Sequence, residues 1–256
     1  SAFRTKDWET FYNSLKGNKI SYEVIFVGPN NPNKNFGDNF HYIYSTTKPA
    51  QCYQIAIKHA QGELVGWSCD DARYNIIGQN NLDILYDFYK KFNDNKVIVA
   101  QRPIEDGRDI WMRHHFFGDW SNTPRMAPLG FMNRELLNQI GGYDRNFISA
   151  QAENDIVMRV MEIGGRVELC MESYIHIYHR ECHEANLSSG VRQYYVADRQ
   201  VLEDRWVIGG YGAYGQYGVQ LRQNIQISKT RLKPVESFEE RTDWFIVSQG
   251  AKGRWE

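Results

Sequence analysis

The chain has 256 residues, 42% of them hydrophobic and 14% aromatic, and a formal net charge of −1. That is enough for one large domain with an extension, and near-neutrality argues against a general nucleic-acid or anionic-membrane surface. No apolar run approaches the roughly 20 residues that span a bilayer, and no secretion signal is visible. Cys52, Cys69, Cys170 and Cys182 have no paired spacing. The first three lie in apolar patterns and read as buried free thiols, which fits a reducing, cytoplasmic setting.

Trp8, Phe11, Tyr12 and Leu15 share one face of a helix that ends at Gly17-Asn18. Residues 22–27 form an apolar strand, 28–33 a Pro/Asn loop, and 41–44 a short strand. A helix over 51–61 is expected to be capped by Gly62 and followed by a strand over 64–67. An amphipathic helix over 82–92 and a buried strand over 96–100 come next. This alternation predicts an α/β domain with a mostly parallel, twisted sheet. The pattern dissolves between 101 and 129, where Trp111, His114, His115, Trp120 and Arg125 sit in a long irregular stretch of the kind that is more often functional than accidental. Helices over 133–140 and 153–163 and strands over 166–170 and 174–179 complete the domain. Residues 184–206 read as a helix, the Gly/Tyr-rich stretch 209–218 as a linker, and 219–256 as a polar tail that wraps the domain or pairs with another copy. The division expected is a domain over 1–183 and an extension over 184–256.

The run Gly62-Glu63-Leu64-Val65-Gly66-Trp67-Ser68-Cys69-Asp70-Asp71 carries the most chemistry. An apolar strand ends in two adjacent carboxylates, at the sheet edge where open α/β folds bind ligands. Hard oxygen ligands there suit Mg2+ or Mn2+ held between protein and diphosphate, whereas the same acids also suit a plain turn.

Four stretches together resemble the family 2 glycosyltransferases of GT-A fold. They are Ser1-Ala2-Phe3-Arg4 before the Trp8 helix, the strand 22–27 with its polar loop, the Ala60-to-Asp71 stretch, and Gly141-Gly142-Tyr143-Asp144-Arg145-Asn146-Phe147 followed by Glu153, Asp155, Ile156 and Arg159. The resemblance covers about residues 1–180. It implies a Rossmann-like GT-A domain and a metal-dependent inverting transferase. The donor is a UDP- or GDP-linked nucleotide sugar, and the acceptor a saccharide of a surface polysaccharide or glycan. It also implies a strand ahead of Ser1.

Carried over residue by residue, Asp71 is the ligand of Mn2+ or Mg2+, and Asp70 is a donor contact or second ligand. Cys69 stands where the family usually has an acid facing the ribose. Glu153 aligns, through Ile156 and Arg159, with the general base, and Asp155 is the fallback; both also suit a helix N-terminus. Arg4 matches a base or phosphate contact, and Asn30 replaces the acid that usually meets the nucleobase. Tyr53 replaces an Arg, with Lys48 or Gln51 compensating. His179, with His176 second, completes the metal site. His176, His179, Cys182 and His183 could instead bind zinc, at a spacing that fits no common zinc pattern. Two rival functions stay open: an inactive GT-A-like module that binds nucleotides or glycans, and a nucleotidyltransferase.

Overall fold

The computed structural model describes residues 5–75, 78–109, 127, 129–178, 194, 197–198, 200–202, 208–211 and 219–221. At its centre lies β5 (Val97–Glu105), whose first four residues are wholly buried because both faces of the strand are covered. The side-chain alternation of a strand divides those residues between two layers. Val97 and Val99 pack toward Leu85 and Tyr89 of α3 (Asn81–Lys90). Ile98 and Ala100 pack toward α4 (Arg134–Gln139) and α5 (Ala152–Glu162), through Leu137, Ile156 and Val160.

The main sheet runs β3-β7-β5-β8-β4, formed by β3 (Leu64–Trp67), β7 (Gly130–Asn133), β5, β8 (Arg166–Ile177) and β4 (Ala72–Arg73). Its strands are mixed in direction. β3, β5 and β8 run one way, but β7 lies between β3 and β5 and is antiparallel to both. The sequence reading missed β7 because its four residues open directly into α4; Asn133 caps that helix by accepting the Leu136 N–H at 3.1 Å. β5 also outruns its expected end. It reaches Glu105 and turns through Asp106 and Gly107, both at positive φ, into β6 (Arg108–Asp109). The two strands expected over 166–170 and 174–179 are one, β8. Met171–Ser173 loop out where the register shifts between Gln101 and Arg102 of β5.

A smaller parallel pair joins β1 (Val24–Gly28) to β2 (Phe40–Tyr44). It packs on α1 (Thr5–Asn13), where the expected face of Trp8, Phe11, Tyr12 and Leu15 is fully buried and Trp8 stacks on Phe26 at 4.4 Å. Between β2 and β3 runs α2 (Pro49–His59). Its C-cap is Ala60 in extended backbone, not Gly62. Among the described residues β1 pairs only with β2, and β3 only with β7. An opening of about 840 Å³ lies between them, with Val24–Val27 on one side and Leu64–Ser68 on the other.

Past β8, helical residues Tyr194, Ala197, Asp198 and Gln200–Leu202 return to the domain, and Leu202 is buried in the main core. The stretch read as a linker contributes β9 (Ile208–Tyr211), paired with β10 (Val219–Leu221). No helix among the described residues is long and apolar enough to cross a membrane.

Candidate active site

The strand-end acids lie where β3 delivers them. After Trp67 the chain turns through Ser68–Asp71 into β4, and the turn is held from three sides. Arg73 Nη1 donates to the Asp70 carbonyl at 2.8 Å, and the Tyr53 hydroxyl donates to the Ser68 carbonyl at 2.6 Å. The Tyr178 N–H donates to the Asp71 carbonyl at 3.1 Å. Asp70 and Asp71 are 3% and 2% exposed. Carboxylates so dehydrated need compensating charge or hydrogen bonds, and a cation is one source. Among the described residues no group of three His, Cys, Asp or Glu side chains converges on one point. Two adjacent carboxylates therefore fit an ion that shares its coordination with substrate phosphates, as hard divalent cations commonly do. His179 lies outside the described residues, next in sequence to Tyr178, whose backbone meets Asp71. His176 sits on β8 opposite Arg73 of β4, and burial lowers its pKa.

The second set of residues comes from the Gly141–Phe147 segment and α5. Gly141 and Gly142 end α4 at positive φ, +83° and +64°. A Cβ on Gly142 would come within 2.3 Å of Gln54 Oε1, the atom that accepts the Tyr143 N–H at 2.7 Å. That close approach sets the Tyr143 ring on the Tyr53 ring, stacked at 5.3 Å and 14°. Burial holds the Tyr53 hydroxyl well above its ordinary pKa; Cys69, Glu153, Asp70 and Asp71 add to the rise. Both groups of acids thus act on one tyrosine hydroxyl.

Glu153 and Asp155 stand in different surroundings. Asp155 is 1% exposed and pairs with Arg159 Nε at 2.8 Å. The same guanidinium donates from Nη1 to the Ile140 carbonyl and from Nη2 to the Gly142 carbonyl at 2.6 Å. This pair ties α5 to the glycine turn. Asp155→Asn leaves the guanidinium buried without its counter-charge, and breaking a buried pair costs about 3–5 kcal/mol. A loss of that order in the urea unfolding free energy is expected; an unchanged midpoint would remove the structural role. Glu153 is only partly covered. Burial nonetheless pushes its carboxyl up to about 7, against the pull of its own N–H and with the Asp198 charge adding to the rise.

The remaining expected contacts are scattered around this centre. Gln51, in the first turn of α2, is 1% exposed, and its Oε1 accepts the Lys48 N–H at 3.3 Å. Its Nε2 is buried without a hydrogen-bond partner among the described residues. The Lys48 ammonium lies over the Tyr194 ring at 5.4 Å. Cys69 is half-buried, more open than the sequence pattern implied, because it sits past the strand end in the turn. Asn30 is exposed in the loop after β1. Arg4, residues 111–125, and Cys182 and His183 lie outside the described residues. The sequence reading did not single out Tyr143, Gln54 or Asp198. Tyr143 lies inside a quoted motif, but nothing local distinguishes Gln54 and Asp198 from ordinary helix residues.

Comparison with solved structures addresses the fold. S. aureus TarS 1–349 superposes with a TM-score of 0.53 at 15% identity, over 78% of this chain and 67% of that one. The fold is that of the GT-A glycosyltransferases. A longer S. aureus TarS structure gives a GT-A match with a TM-score of 0.54 at 16% identity, covering 77% of this chain and 40% of that one. A mannosyltransferase of Pyrobaculum calidifontis, in complex with GDP-Man and Mn2+, aligns with a TM-score of 0.49 at 16% identity, over 69% of this chain and 54% of that one. The chain thus spans only part of the longer GT-A structures. No protein-family model matches the sequence, and no curated protein matches it.

Proposed function

We propose that this chain is an inverting glycosyltransferase that moves a sugar from a UDP- or GDP-linked donor to a saccharide hydroxyl of a surface polysaccharide or glycan. The observation that carries the reading is Tyr53, which joins the two regions: its hydroxyl donates to the Ser68 carbonyl in the strand-end turn at 2.6 Å, and its ring stacks at 5.3 Å on Tyr143 of the glycine turn ahead of α5. One acid group has the character of a cation site, and the other is a carboxyl poised near neutrality, as a general base is.

In this reading Asp71, with Asp70 and His179, holds Mn2+ or Mg2+. When bound, such an ion neutralises the charge that develops on the departing diphosphate. Gln51, Lys48, Cys69, Asn30 and Arg4 are the donor contacts, and the buried Gln51 Nε2 is a donor group suited to a phosphate or ribose oxygen. Glu153 takes the proton of the acceptor hydroxyl while that oxygen bonds to the anomeric carbon and the bond from that carbon to the diphosphate oxygen breaks. In this reading Asp155, paired with Arg159 at 2.8 Å, has the structural role and stays the fallback base.

A thermal-shift panel of UDP, GDP and their sugar conjugates, with and without Mn2+, tests the reading. A specific ligand at a hundred times its Kd stabilises by about 2.7 kcal/mol. The expected outcome is a metal-dependent rise with one nucleotide class and release of its nucleoside diphosphate from the sugar conjugate. No shift with any member rejects the proposal. Cys69, in place of an acid, favours a second reading, a binding module without turnover. That module would show the shift and release nothing.

A further inference from the structure

Asp198, one of the helical residues that return to the domain past β8, lies outside the motifs discussed above and is wholly buried. Its carboxylate accepts three consecutive backbone N–H groups: Ile148 at 2.9 Å on Oδ1, and Ser149 at 2.7 Å and Ala150 at 2.9 Å on Oδ2. The Ser149 hydroxyl adds a contact at 3.3 Å. Hydrogen bonds to an ionised acceptor are the strong ones, so this is a charged clamp on a loop. The Ile148 carbonyl in turn accepts the Ala50 N–H at 3.1 Å, which joins the clamped loop to the first turn of α2.

The clamp ends at the residue before a strained point. Gln151, the N-cap of α5, has φ +65° in the left-handed region. A non-glycine residue there costs free energy and persists only where its surroundings over-determine it. On one side of Gln151 is the loop held by Asp198; on the other, two residues on, is Glu153. The direction in which α5 starts, and so the placement of Glu153, depends on that loop staying fixed.

We infer that Asp198 is a positioning residue for Glu153: it anchors the 148–150 backbone so that α5 presents the Glu153 carboxylate toward the acceptor. This rests on the reading of Glu153 as the base. Among the described residues, the titratable groups that act on Glu153 are Asp198, Tyr53 of α2 and Tyr143 of the glycine turn. Both tyrosines stay protonated in the neutral range, so Asp198 is the charge among them. Its field keeps the Glu153 proton bound to higher pH.

The test compares the full chain with Asp198→Asn and with Leu202→Ala, which loosens the same helix without changing charge. Three quantities are read: donor affinity, kcat between pH 5.5 and 8.5, and amide exchange at residues 148–150. Asp198→Asn is expected to keep donor affinity and to lower kcat by about 10²-fold, the scale of a misplaced catalytic group. It should also shift the acidic limb of kcat to lower pH and speed exchange at the three amides. Leu202→Ala should lower stability and leave the limb in place. An unmoved limb with unchanged kcat in a folded Asp198→Asn overturns the proposal, as does an equal limb shift in Leu202→Ala. If Asp198→Asn does not fold, the wild type decides: exchange at 148–150 as fast as at the neighbouring loop amides overturns the clamp. Absence of turnover in the wild type rejects the glycosyltransferase reading, and the positioning role with it, and is told apart by slow exchange at 148–150.

Discussion

Glu153→Gln is expected to lower sugar transfer by about 10²–10⁴-fold, the usual worth of a general base, while donor affinity stays near normal. Glutamine keeps the size and the helix position and cannot take a proton. The same substitution has a stability signature of its own. The Glu153 carboxyl titrates at about 7 in the fold against an ordinary 4.5. Below 4.5 both folded and unfolded chains are protonated, and the group costs nothing. Between 4.5 and about 7 the unfolded chain releases its proton first, so stability falls with rising pH, and above about 7 the cost is complete. At 1.36 kcal/mol per unit that cost is on the order of 3 kcal/mol. Glu153→Gln should therefore be more stable than wild type at pH 8 and equal to it near pH 4. Thermal unfolding at the two pH values, beside transfer assays, checks both halves. A destabilised but active variant would remove Glu153 from the chemistry.

Asp71→Asn is expected to remove the Mn2+-dependent part of nucleotide affinity and leave the fold intact. Loss of a group that merely supports a metal ligand costs about 10–100-fold in metal affinity, so loss of a ligand should reach at least the upper end of that range. Asparagine preserves the volume of a side chain that is 2% exposed and removes a dehydrated charge, so no collapse of the turn is expected. The Tyr178 N–H and the Arg73 guanidinium hold this turn through backbone carbonyls, which the substitution does not touch. Titration calorimetry with UDP or GDP, with Mn2+ and with chelator, reads the effect. Equal affinity of variant and wild type in Mn2+ would sink the assignment.

The sequence by itself determined the elements whose burial is periodic. The α1 face and the strand Leu64–Trp67 were legible because their side chains repeat with the period of the backbone that carries them, and the core run Val97–Ala100 because it is a short continuous apolar run. It also marked Asp70, Asp71 and Glu153, through motifs local enough to read in one stretch. What it left ambiguous is whatever depends on distant chain. Glu153 and Asp155 are both acids in the first turn of one helix, and only the family resemblance put Glu153 ahead of Asp155. Arg159 gives them different surroundings by reaching the Ile140 and Gly142 carbonyls together with Asp155, a geometry set by how the glycine turn packs on α5. The antiparallel insertion of β7 was hidden for a related reason, since strand order is decided by pairing partners and a four-residue strand carries too few side chains to declare its neighbours. Asp198 was the least legible of all. It lies in a stretch the sequence assigned to an extension, and its role exists only because three backbone N–H groups some fifty residues upstream turn toward it. Backbone donors carry no sequence signature, so only the tertiary structure could pair that carboxylate with its loop.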